Sequence, residues 1–220
     1  MVLSVTSMLL LSVMVLKVTG QGCAPYSQYP QHTMCIYTEK ACPQKKLIYS
    51  GGLTTIEKNE VVSAHNKLRN SIVNGQVRGA PAAVAMANMV WDQELANIAQ
   101  RLADQCKMAH DTQRRVARFP VGQNLYMEGT SASGNTNINM TKVTDAWFNE
   151  IYNPGFPASY INPFKFIYGA GHYTQVAWAD TKTIGCGYTM FQEGSWYWKL
   201  VACNYGPAGN VIGGRMYQVK

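Results

Sequence analysis

A chain of 220 residues with 47% hydrophobic and only 14% charged residues has the composition of a globular protein, which excludes an intrinsically disordered one. The formal charge is +7, and the basic residues are scattered apart from the cluster Arg114-Arg115-Val116-Ala117-Arg118. No stacking aromatics interleave with that cluster, so it reads as a solvated loop, and no nucleic-acid partner is expected.

In chain order, residues 1–20 carry an apolar run from Met8 to Leu16 followed by Lys17-Val18-Thr19-Gly20, the pattern of a cleaved signal peptide. That run is too short to cross a bilayer of about 30 Å, and no later segment comes near the required length. A secreted, extracellular chain with no membrane span is the expectation. Residues 21–52 are rich in Pro, Gly, Tyr and Gln without sustained periodicity, and predict an irregular extension. Residues 53–220 are long enough for one well-buried core and read as a single domain.

Thr54-Thr55-Ile56-Glu57 fits a capping box, after which Val61, His65, Leu68 and Ile72 recur at helical spacing until Asn74-Gly75. A second helix opens near Asp92, with Leu95, Ile98, Ala99, Leu102 and Cys106 on its apolar stripe. Val121 to Met127 reads as a strand. Thr141 to Tyr152 reads as a helix burying Val143, Ala146, Trp147, Glu150 and Ile151, and is preceded by the N-glycosylation sequon Asn139-Met140-Thr141. A proline-punctuated aromatic loop over 153–170 leads to a short helix at His172–Ala179. Ile184–Phe191 and Trp196–Tyr205 then alternate as strands. Helices mixed with partly hairpin-linked strands predict an α+β domain.

Six cysteines behind a signal peptide predict three disulfides, for which spacing alone leaves fifteen connectivities. Cys186 and Cys203 are paired by local geometry, since their runs flank the Glu193-Gly194 turn.

Five segments carry a resemblance: His65-Asn66-Lys67-Leu68-Arg69, Gly122-Gln123-Asn124-Leu125, Trp147-Phe148-Asn149-Glu150, Gly171-His172-Tyr173-Thr174-Gln175-Val176-Ala177-Trp178, and Cys203-Asn204-Tyr205-Gly206-Pro207-Ala208-Gly209-Asn210. Together they resemble the CAP superfamily of cysteine-rich secretory, antigen-5 and pathogenesis-related proteins. The strings Gly122-Gln123-Asn124 and His110-Asp111-Thr112 are most similar to those of insect antigen-5 proteins. The resemblance implies a three-layer α-β-α sandwich, with Cys23 bonded to Cys35 and Cys42 to Cys106. It also implies a fourth bridge in relatives whose second position is Gln113 here, with its partner cysteine missing too.

By the same resemblance, His65, Gln123, Glu150 and His172 meet in a central cleft, Gln123 replacing a glutamate of the family. Two imidazoles and one carboxylate would hold zinc or another divalent ion weakly, because an amide adds no charge. The aromatic loop, with Tyr160, Phe164, Phe166 and Tyr168, is expected to take a small hydrophobic ligand, a sterol or a fatty acid. The implied function is that of a monomeric, non-enzymatic binding protein of venom or saliva, an allergen whose partners include host antibodies. The alternative is a metal-dependent hydrolase using His65, Glu150 and His172. No Gly-x-Ser-x-Gly or His-Glu-x-x-His occurs, so no catalytic residue is assigned and no cofactor is required.

Overall fold

Two antiparallel eleven-residue strands, Thr183–Glu193 and Trp196–Gly206, form the centre of the molecule and set its layering. The computed structural model describes residues 23–220; the signal peptide expected over 1–20 lies outside the described residues. In chain order the elements are α1 (Thr33–Ile36), β1 (Lys46–Tyr49), α2 (Thr55–Val73), β2 (Val90–Trp91), α3 (Gln93–Ala103), β3 (Gly122–Thr130), α4 (Met140–Phe148), a 3-10 turn (Asn149–Ile151), α5 (Gly171–Val176), β4 (Thr183–Glu193) and β5 (Trp196–Gly206). A further 3-10 turn covers Ala158–Tyr160. The sheet order is β1-β4-β5-β3, and β2 pairs in parallel with the opposite end of the β4 edge that β1 uses.

Side chains alternate across the two central strands, and the alternation decides which helix goes where. Ile184, Cys186, Tyr188, Met190, Val201, Cys203 and Tyr205 join the large core with Val61 and Ile72 of α2 and Val143 and Trp147 of α4. Ala202 of β5 faces the other way, packing against Ala99, Leu102 and Ala103 of α3. A helix on one face and helices on the other make the α-β-α sandwich that was expected. The α3 layer lies so close that a Cβ on Gly187 would meet the Gln100 backbone at 2.3 Å, so only glycine fits there.

Local signals are well kept at the helix ends. The Thr54 side chain caps Glu57 and the Glu57 carboxylate returns to the Thr54 N–H, a complete capping box, and α2 stops at Asn74 with Gly75 in the left-handed region. Asp92 caps α3. The sequon Asn139 is itself the N-cap of α4, its side-chain oxygen accepting the Lys142 N–H at 2.7 Å.

Several expectations need correction. The extension is not irregular throughout, since it forms α1 and contributes β1 to the sheet. Cys106 lies beyond the end of α3, buried, with a left-handed backbone, so the cross-link to Cys42 leaves from a turn. In α4 the exposed Ala146 is replaced on the buried arc by Thr144 and Phe148, because α4 is wedged between α2 and α5 and Phe148 meets Tyr173 edge-on at 5.4 Å. The helix also ends earlier than periodicity implied, tightening into the 3-10 turn that holds Glu150.

The three disulfides are Cys23–Cys35, Cys42–Cys106 and Cys186–Cys203, with no free cysteine among the described residues. Where relatives were expected to place a fourth bridge, the extension is held by hydrogen bonds. His32 and Gln113 form an isolated β-bridge, the Thr33 N–H donates to the Gln113 carbonyl at 2.9 Å, and the Thr33 hydroxyl donates to the Asp111 carboxylate. The basic cluster that follows is largely neutralised: Arg114 pairs with Asp111, and Arg118 with Asp92 and Glu94.

Arg69, within the apolar arc of α2, is 1% exposed and has no carboxylate partner among the described residues. Its guanidinium donates to the carbonyls of Ala87, Val176, Trp178, Ala179 and Thr181, so α2 grips the backbone that leaves α5. Burial lowers its pKa to about 10, which still leaves it charged at neutral pH.

Candidate functional site

The 3-10 turn after α4 brings Glu150 against the first turn of α5. There its carboxylate accepts the backbone N–H of His172 at 2.9 Å and of Tyr173 at 3.1 Å, two donors a helix start leaves unpaired. Its other oxygen lies 2.5 Å from Nδ1 of His172. A carboxylate accepts only, so Nδ1 of His172 carries a proton, and in the neutral ring Nε2 keeps its lone pair.

A second imidazole is fixed by a longer chain of logic. Gln123 of β3 stands opposite Asn204 of β5 in the strand register. The amide nitrogen of Asn204 donates to the Leu95 carbonyl at 3.3 Å, so its oxygen must face Gln123, whose amide nitrogen donates to it at 2.9 Å. The Gln123 oxygen is left to accept from Nδ1 of His110 at 2.7 Å. His110 is therefore also an Nδ1–H tautomer with Nε2 unspent, and Gln123 is a ring-orienting residue with both ends occupied.

His110, Gln123, Glu150 and His172 line one cleft of about 460 Å³ at the free edge of β3. His65 does not belong to it. Its Nδ1 donates to the Val61 carbonyl at 2.8 Å and its Nε2 accepts the Tyr205 hydroxyl at 2.9 Å, so both nitrogens are satisfied inside the core. Burial pushes its pKa down to about 4, with the Arg69 charge adding to the effect. The Trp147 ring contacts both histidines, with centroids 6.3 Å from His65 and 6.1 Å from His172. Helical periodicity correctly puts His65 on the buried face of α2, but burial there means the core. The residue missed is His110, which sits in a non-periodic loop within the His110-Asp111-Thr112 string.

The aromatic loop also divides. Phe164 is 1% exposed, edge-on to Trp178 at 5.1 Å and stacked with Phe156, and belongs to the core. Tyr160 packs against the same core and meets the Phe156 ring edge-on. Phe166 and Tyr168 do line the cleft, half and almost fully exposed. The Phe166 ring lies directly on the backbone ahead of His172, where a Cβ on Gly171 would meet it at 2.9 Å. On the same wall, the Asn210 amide nitrogen donates to the Gly171 carbonyl at 2.9 Å, while its buried oxygen has no partner among the described residues. The loop therefore adds an apolar rim to the histidine cleft, and the two make one site.

Residues 62–205 match the CAP, cysteine-rich secretory protein family. The chain is 42% identical over 198 residues to venom allergen 3 of Solenopsis invicta, covering 86% of this chain and 84% of that one. It is 41% identical to venom allergen 5 of Vespula maculifrons over the same shares of each chain. Among solved structures it is similar to BmVAL-1, with a TM-score of 0.66 at 29% identity over 77% of this chain and 86% of the other. It is also similar to NaASP2, crystallised with Zn²⁺, with a TM-score of 0.62 at 29% identity over 81% and 90%. A sandwich with this layering, this edge cleft and this extent of likeness leaves one conclusion: the chain belongs to the CAP family and is similar to the insect venom allergens 3 and 5.

Proposed function

We propose that this CAP protein acts outside the cell as a non-enzymatic binding protein, an allergen recognised by host antibodies, whose cleft takes a small ligand with an apolar body. The observation that carries the reading is the composition of the cleft wall. It joins Leu125, Phe166 and Tyr168 to two oriented imidazoles, and its lining holds no Ser, Thr, Cys or Lys side chain to serve as a nucleophile.

The donor set also fits a weak divalent cation. His110 and His172 would hold it through their unspent Nε2 atoms, with Gln123 and Glu150 orienting the rings. Two imidazoles supply half of a tetrahedral set, and among the described residues no three His, Cys, Asp or Glu side chains come together as a metal site. A bound cation there would act as a Lewis acid, the one chemistry that the hydrolase alternative could draw on.

The test is native mass spectrometry of purified protein for a co-purified apolar molecule or metal, followed by titration with the neutral dye Nile red. Saturable dye binding that is lost in Phe166→Ser with Tyr168→Ser is the expected result. Turnover of a peptide or ester substrate that disappears in His172→Ala overturns it in favour of the hydrolase.

A further inference from the structure

Two imidazoles and one carboxylate set the polar character of the cleft, and they decide what chemistry a ligand must bring. As neutral rings both imidazoles present Nε2 lone pairs, because their Nδ1–H groups are given to Gln123 and Glu150. The Asn210 oxygen, which has no donor among the described residues, is buried and not offered to the cleft. Along this wall the Asn124 amide nitrogen spends both its N–H groups, on the His172 carbonyl and the Tyr205 hydroxyl, while those of Gln123 and Asn210 each give one, to Asn204 and to the Gly171 carbonyl. The only formal charge among the lining side chains is the Glu150 carboxylate; no Lys or Arg lines the cleft. A protein of net charge +7 has thus put a pocket without a cationic Lys or Arg, and with one carboxylate, under two exposed aromatic rings.

The geometry points to an organic ammonium as the ligand: a primary amine on an aromatic or other compact apolar body, its N–H groups meeting the two imidazole acceptors and its charge facing Glu150. This rests on the ligand-binding reading above and deepens it. An ammonium offers three donors and no acceptor, enough to serve both imidazole lone pairs. Phe166 and Tyr168 add aromatic faces of the kind that attract cations. A carboxylate ligand would set its oxygens against those lone pairs with no cationic side chain in the lining to receive it, so the fatty-acid half of the earlier expectation is disfavoured. An alcohol, with a single donor, ranks between.

Three ligands that share an indole body test this by calorimetry on the whole protein in EDTA: tryptamine, tryptophol and indole-3-acetate. Tryptamine is expected to bind at least about tenfold more tightly than indole-3-acetate, with tryptophol between, and Glu150→Gln is expected to remove most of that preference. Because Glu150 also caps α5, His110→Ala on the exposed loop provides an independent variant, expected to weaken tryptamine severalfold while leaving indole-3-acetate unchanged. Displacement of Nile red separates the two levels of the argument. If the dye binds and all three ligands displace it equally, or the carboxylate does so best, the ammonium assignment is wrong and the binding function stands. If neither dye nor ligand binds, both fail.

Discussion

Nδ1 of His110 lies 2.7 Å from Oε1 of Gln123, and the Gln123 amide reaches back to Asn204, so the glutamine supports a histidine and does not face the cleft as a ligand. Gln123→Glu should raise zinc affinity by making the His110 ring more basic, an effect of about 10-fold or more for orienting partners of metal-bound imidazoles. That gain should vanish in a His110→Ala background, which calorimetry on the single and double variants would measure; a gain that survives means direct ligation. The same change sets a carboxylate oxygen against Oδ1 of Asn204, which cannot turn without losing Leu95, and should cost about 1–3 kcal/mol of stability.

Two buried histidines make acid stability predictable. Burial lowers the pKa of His32, and lowers that of His65 to about 4, both below the ordinary value near 6.5. In each case the unfolded chain takes up the proton first, so the stabilisation is complete above about pH 6.5 and is lost as pH falls below it, for His65 over the range down to about 4. For His65 the loss approaches about 3 kcal/mol at the bottom of that window. Urea unfolding between pH 7 and 4 should show it, and His65→Gln should flatten the profile; an unchanged slope would contradict the buried neutral ring.

Replacing Arg69 by Met should be severe, because five backbone carbonyls gathered round one guanidinium lose their donor inside the core. A loss of about 3–5 kcal/mol is expected, and Arg69→Lys should recover only part of it, since a single ammonium cannot span the same fork. Thermal unfolding checks both.

Phe164 and Phe166 stand two residues apart and should behave oppositely. Phe164→Ser empties a core position between Phe156 and Trp178 and should destabilise by about 3–5 kcal/mol, whereas Phe166→Ser should leave the melting temperature nearly unchanged and weaken cleft binding. Equal effects of the two on stability would place Phe166 in the core.

Thr33→Val removes the hydroxyl that meets Asp111, and should let a protease cut the extension near α1 sooner without lowering the stability of the rest. Faster cutting throughout the chain would instead show that the extension is integral to the core.

Signals that act within a few residues were legible: the Thr54 capping box, the Asp92 cap and the two alternating strands all lie where the sequence puts them. The Cys186–Cys203 pair could be read from the hairpin alone, while the other two pairings needed the family resemblance. What could not be read is contact between distant segments. Nothing in the spacing of His110 joins it to Gln123, and a helical pattern cannot tell that His65 will be spent on Val61 and Tyr205. Arg69 shows the same limit, since its partners are carbonyls, which every residue has.

The hairpin of β4 and β5 has a bearing on the order in which the thiols oxidise. Cys186 and Cys203 are direct cross-strand neighbours 17 residues apart, and Cys23 and Cys35 are 12 apart, so each pair can meet as soon as its own short segment closes, in microseconds. Cys42 and Cys106 are separated by 64 residues and meet only when the extension has docked beside the end of α3. During oxidative folding the last bridge to close would then be the one that ties the extension to the sandwich, and a chain caught early would carry two bridges and a pair of thiols still open to exchange.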